Sequence, residues 1–175
     1  LRMVHFLEEL ENKPNGFGEL SENYKQLGAK TLLKLSTLIQ PVEEKKDFED
    51  LKERSIIFAQ AIVHLDLNPE ELQIVGFLVG NAYLMIETAL HKDIHQPIVI
   101  EKFAKKVATI NKLDLLYLRS YAELRAVAPG TLTSWKKVLL SELYQRSRDY
   151  FKHPESLRSR SLTTWVEVYK ILHWE

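Results

Sequence analysis

The stretch LYLRSYAELRAVAPGTLTSWKKVLLSELY, residues 116–144, holds two apolar helical patterns separated by Ala128-Pro129-Gly130. Leucines and tyrosines recur at three- and four-residue spacings on both sides, and the proline and glycine supply the turn between them. The first pattern runs from about Asn111 to Ala128 and is apolar around most of its circumference, which leaves Arg119 and Glu123 as charged neighbours one turn apart. An exposed pair at this spacing contributes only about 0.2–0.5 kcal/mol, so the plain reading is a surface or half-buried ion pair. A sharper reading has Glu123 facing a polar pocket with Arg125 or Lys136 nearby, as an acidic ligand or an anchor for a small molecule. Spacing allows both.

The same periodicity holds along most of the 175-residue chain and strand-like alternation is scarce, which predicts an all-α fold. Breaks rich in Pro, Gly, Asn, Asp and Ser fall at residues 13–18, 40–47, 66–71, 92–97, 128–134 and 152–156. They imply about seven helices in a single domain. Asn68-Pro69-Glu70-Glu71 places an N-cap, a first-turn proline and two acids at one helix start. The helix from Pro69 to about His91 is apolar nearly all round and is expected to lie centrally. From Leu132 to Phe151, a stripe of Leu132, Trp135, Leu139, Leu143 and Tyr150 faces away from Lys137, Ser141, Gln145 and Arg148, the pattern of a surface helix.

Composition removes several function classes. With 24 basic and 24 acidic residues the net charge is zero, so the long-range field that gathers phosphates is missing and nucleic acid is not an expected partner. The chain has no cysteine, which excludes disulfides, thiolate zinc sites and thiol nucleophiles and suits the cytoplasm. The apolar run at residues 74–86 is shorter than the ~20 residues of a membrane span, so no membrane is expected. A chain that starts at Leu1 is expected to be cut from a larger protein. The histidines at 5, 64, 91, 95, 153 and 173 form no HExxH pattern; His91 and His95 fall in an expected turn, and His64, His153 and His173 at expected helix ends. No GxSxG elbow is present.

The run from Leu116 to Phe151 resembles the helical region of bacterial protein-PII uridylyltransferase/uridylyl-removing enzymes. Leu116-Tyr117-Leu118, Ala122, Leu124-Arg125, Pro129, Trp135-Lys136, Leu139-Leu140 and Leu143-Tyr144 carry that pattern, and LNPEELQIVGFLVGNAYLMIETALHKDIHQPIVIEKFAKKV, residues 67–107, extends it upstream. The resemblance covers residues 1–152 and implies an HD-type helical domain there, leaving residues 153–175 as a C-terminal helix. In that tail Leu162, Trp165, Val166, Tyr169 and Leu172 make an apolar face for the domain or an interface.

In the family this region is a metal-dependent phosphohydrolase that removes UMP from the nitrogen-signalling protein PII. Its metal is held by a first His, a consecutive His-Asp pair and a final Asp. The resemblance places His5 at the first His and Glu123 at the final Asp. It places Asn81-Ala82 at an Asn-His step of the central helix, and Phe48-Glu49 at a His-Ser step. The His-Asp pair falls within TLLKLSTLI, residues 31–39, at Lys34-Leu35 or Leu35-Ser36, and is absent. A divalent ion needs several converging donors, and without it water is not activated at neutral pH.

The expected function is therefore a non-catalytic regulatory or scaffolding domain with no metal and no cofactor, part of a nucleotidyltransferase-related protein of nitrogen signalling. Its partners would be other domains of the parent chain or a second protein. His5, Asn81, Arg119, Glu123, Arg125 and Lys136 would line a residual cleft for which a nucleotide is a candidate ligand, with Lys137 a further phosphate contact. The nucleotidyltransferase and ACT domains that flank this region in the family are not in these residues. The alternative is a working metal-dependent phosphohydrolase with a rearranged site of His5, Glu123 and donors such as Glu49 or Asp50.

Overall fold

The structure is a computed structural model and describes residues 1–12, 17–39, 62 and 64–153. The tail face from Leu162 to Leu172, His173, and the positions of Phe48, Glu49 and Asp50 lie outside the described residues. Among the described residues the fold is all-α, without strands. The helices are α1 (Arg2–Asn12), α2 (Glu19–Gln26), α3 (Lys30–Leu38), α4 (Pro69–Gly80), α5 (Leu84–His91), α6 (Pro97–Val107), α7 (Ile110–Val127) and α8 (Ser134–Lys152). These are eight helices among the described residues, where about seven were expected for the whole chain.

The interruption between α4 and α5 departs from the continuous helix expected over Pro69–His91. Its start is as anticipated: the Asn68 side chain accepts from the backbone N–H groups of Glu70 and Glu71, both at 3.0 Å, and the Glu71 carboxylate accepts from the Asn68 N–H at 2.9 Å. At the other end the Asn81 side chain donates to the Phe77 carbonyl at 2.9 Å, and its backbone N–H bonds the same oxygen. A side-chain amide that competes for the carbonyl of the preceding turn favours a cap over continuation, and residues 81–83 form a turn before α5. Over its full 23 residues the run is long and apolar enough to cross a membrane by length and composition. In the protein its two halves bury Ile74, Val75, Leu78 and Val79, and Met85, Thr88 and Ala89.

Within this fold the helices group into two compact units. The first comprises Leu1–Tyr83 and Asp114–Leu132, the second Leu84–Leu113 and Thr133–Glu175. In the first, α1 packs on α2 and α3, and α3 on α4. Its core draws on Phe6, Leu7 and Leu10, on Leu33, on Val75 and Leu78, and on Leu115, Leu116, Leu118 and Ala122 of α7. In the second, α5 and α6 both pack on α8. Its core holds Met85, Ile100, Phe103, Ala104, Leu140, Leu143 and Tyr144.

The buried face of α8 differs from the expected stripe. Leu140, Leu143, Tyr144 and Ser147 are buried, whereas Trp135 is 60 % and Val138 61 % exposed. Two apolar faces compete on this helix, and the one that meets α5 and α6 is the Leu140–Tyr144 face. Thr133 caps its start, accepting from the Lys136 N–H at 3.3 Å.

Ala108, which follows α6, adopts φ 72°. A Cβ in that region costs of order 1–2 kcal/mol and glycine is free of the penalty. Ala108→Gly should raise the unfolding free energy by about 1 kcal/mol in urea denaturation.

Candidate functional site: a buried arginine clamp

Helix α7 brings one cation into the core of the first unit. Arg119 is fully buried, and Glu123, one turn on, is 7 % exposed. The guanidinium reaches three elements: Nη1 donates to Glu123 Oε2 at 3.4 Å and to the carbonyl of Ala82 at 3.4 Å, and Nη2 donates to the carbonyl of Ser36 at 3.5 Å. The turn after α4 presents the Ala82 carbonyl, because α4 stops at the Asn81 cap. The Ser36 carbonyl lies near the end of α3, where helical carbonyls lose their partners. Burial holds the Arg119 pKa below its ordinary value, and the opposing charge of Glu123 offsets part of that lowering. An arginine so placed keeps its proton at any physiological pH. The pair is therefore a buried one, not the surface or half-buried pair that the plain reading expects.

The remaining candidates fall elsewhere. Arg125 is two positions beyond Glu123, nearly half a turn round the helix. It pairs with Glu9 at 3.5 Å and lies over the rings of Phe6 at 5.1 Å and Phe17 at 5.6 Å. The sharper reading has Arg125 or Lys136 near Glu123; the ion pair found for Arg125 is with Glu9. His5 extends to solvent with its side chain 76 % exposed and its Nε2 3.7 Å from Glu9 Oε1. Asn81 serves as the cap of α4. Lys136 sits in the first turn of α8, in the second unit, as does Lys137.

Phe6 also stacks on Tyr121 at 5.8 Å and meets Phe17 edge-on at 5.4 Å. Arg125 and Glu9 thus seal an aromatic cluster, an exposed cation–π arrangement of about 0.5–1 kcal/mol. Glu9 was missed in the sequence although His5 and Glu9 have the i,i+4 spacing that signals a contact.

In the second unit, His95 stands in the turn before α6. Arg146 Nη2 donates to its Nδ1 at 2.9 Å, and Arg146 pairs with Glu142 Oε1 at 2.8 Å. His91 ends α5. Among the described residues no three His, Cys, Asp or Glu side chains come together in a way that could hold a metal ion.

Removing the guanidinium while keeping its volume leaves Glu123 buried without that cation. Arg119→Met should lower stability by about 3–5 kcal/mol in urea denaturation, and adding Glu123→Leu should restore most of the loss.

Three curated relatives give the clamp a context. The chain is 31 % identical over 124 residues to the bifunctional uridylyltransferase/uridylyl-removing enzyme of Nitrosococcus oceani, covering 71 % of this chain and 14 % of that protein. It is 32 % identical over 143 residues to the enzyme of the same description from Vibrio atlanticus, covering 79 % and 16 %. To that of Methylococcus capsulatus it is 42 % identical over 78 residues, covering 45 % and 9 %. No family model matches the chain, and no solved structure gives a significant match. The chain thus corresponds to a small part of each relative, and over most of its own length it is similar to a segment of the bifunctional uridylyltransferase/uridylyl-removing enzymes.

Proposed function

We propose that the chain is a non-catalytic regulatory or scaffolding domain of HD type, part of a cytoplasmic uridylyltransferase-related protein in nitrogen signalling. Its task is to hold other domains of the parent chain or a second protein. Similarity to the bifunctional enzymes supports the relation to uridylylation.

The observation that carries the non-catalytic reading is the state of Glu123. By resemblance it stands at the family's final acidic ligand, and in this chain it is buried and neutralised from its own helix by Arg119 at 3.4 Å. A carboxylate already satisfied by a fixed cation is a poor ligand for a second one, since like charges at short range in a low-dielectric interior repel strongly. Among the described residues, the other positions of the family's ligand set supply no donor to it either. In the register of the His-Asp pair, Lys34 is salt-bridged to Glu11 at 3.7 Å and the Ser36 hydroxyl donates to the Leu33 carbonyl at 2.7 Å. Exposed His5 is turned to Glu9. The described residues therefore do not fit a divalent ion, and no hydrolytic step is assigned to one.

The test is release of UMP from uridylylated PII-type protein, with the purified chain and manganese or magnesium. The expected rate is that of the protein-free blank. Turnover that depends on metal and disappears in Glu123→Ala would establish the phosphohydrolase reading instead.

A further inference from the structure

We infer that the guanidinium of Arg119 is the resident cation of the first unit, and that it holds together by charge the elements a bound divalent ion would otherwise join. The inference rests on the proposed non-catalytic reading for the place of the ion and goes beyond it in naming the replacement.

Three oxygens converge on this guanidinium, from the Glu123 carboxylate and the Ala82 and Ser36 carbonyls. One carboxylate with backbone carbonyls is the donor chemistry of a hard cation. The three contacts come from separate elements: α7, the turn after α4, and α3. All lie at 3.4–3.5 Å, near the outer end of hydrogen bonding, so the attraction depends more on charge than on the bidentate fit by which arginine usually grips a carboxylate. Ala82 and Glu123 are where the resemblance sets the Asn-His step and the final acid, and Ser36 belongs to one of its two registers for the His-Asp pair. The side chains at two of them have changed type, yet the backbone still turns an oxygen toward a positive charge. A cation built into α7 is present from the moment the helix packs and depends on no metal supply.

Cutting the side chain back should leave a cavity that accepts a small cation in place of the arginine head. The experiment is thermal unfolding of the whole chain followed by circular dichroism. Wild type, Arg119→Ala and Arg119→Met are compared in guanidinium chloride at low millimolar concentration and, separately, in manganese or calcium chloride. Arg119→Ala is expected to gain about 3–5 °C for each tenfold rise of guanidinium or divalent ion beyond half-saturation, because an ion that binds only the folded state stabilises it. The wild type, whose cation is covalent, and Arg119→Met, whose stem fills the space, are expected to show no gain.

If Arg119→Ala is unfolded without added ion, refolding on its addition is the same expected result. Failure of every cation to stabilise or refold Arg119→Ala would overturn the inference, as would an equal response in Arg119→Met. Neither failure touches the functional reading, which stands or falls on UMP release by the wild type.

Discussion

A positive charge sealed inside a protein must be met by oxygen on several sides, and in this chain that requirement falls on Arg119. Its guanidinium is fully buried and answered by Glu123, Ala82 and Ser36, so three helical elements of the first unit are committed to particular positions. The end of α4 at Asn81 acquires a reason, since a helix continuing through residues 81–83 would spend the Ala82 carbonyl on its own ladder. The apolar circumference of α7 acquires one too: Leu115, Leu116, Leu118 and Ala122 are buried along the helix that carries the pair, and a dry interior raises the cost of breaking it.

The clamp also separates two kinds of polar residue that look alike in the sequence. Arg119 and Glu123 form an interior pair, whereas Arg125 and Glu9 close an aromatic cluster of Phe6, Phe17 and Tyr121 at the surface. The first pair bears on the proposed function because it neutralises Glu123, which the resemblance sets at the final acid. The second holds α1 against the end of α7, where Arg2 also donates to the Ala126 carbonyl at 3.4 Å.

Much of the fold was legible. Period-3.6 patterning marked the helices, and Asn68-Pro69-Glu70-Glu71 marked the start of α4 with the capping contacts later found there. The break at residues 81–83 was not, because an asparagine inside an apolar run reads as a tolerated polar residue until its bond to Phe77 is seen. On α8, Trp135 and Leu140 head rival apolar faces, and only the packing of α5 and α6 decides between them. At the site, the i,i+4 spacing of Arg119 and Glu123 gave the contact but not its burial. The carbonyls of Ser36 and Ala82 were invisible, since a backbone oxygen has no letter in the sequence. The place of Arg125 was readable from helix geometry alone, two residues from Glu123 being close to opposite faces.

Whether a covalent cation has taken over from a metal is decided by elemental analysis of the purified chain, followed by calorimetric titration with manganese, magnesium and zinc. With Arg119 as the resident cation, no stoichiometric metal and no binding isotherm attributable to the Arg119–Glu123 region are expected. A tightly held ion at one equivalent, lost in Glu123→Ala, would contradict it.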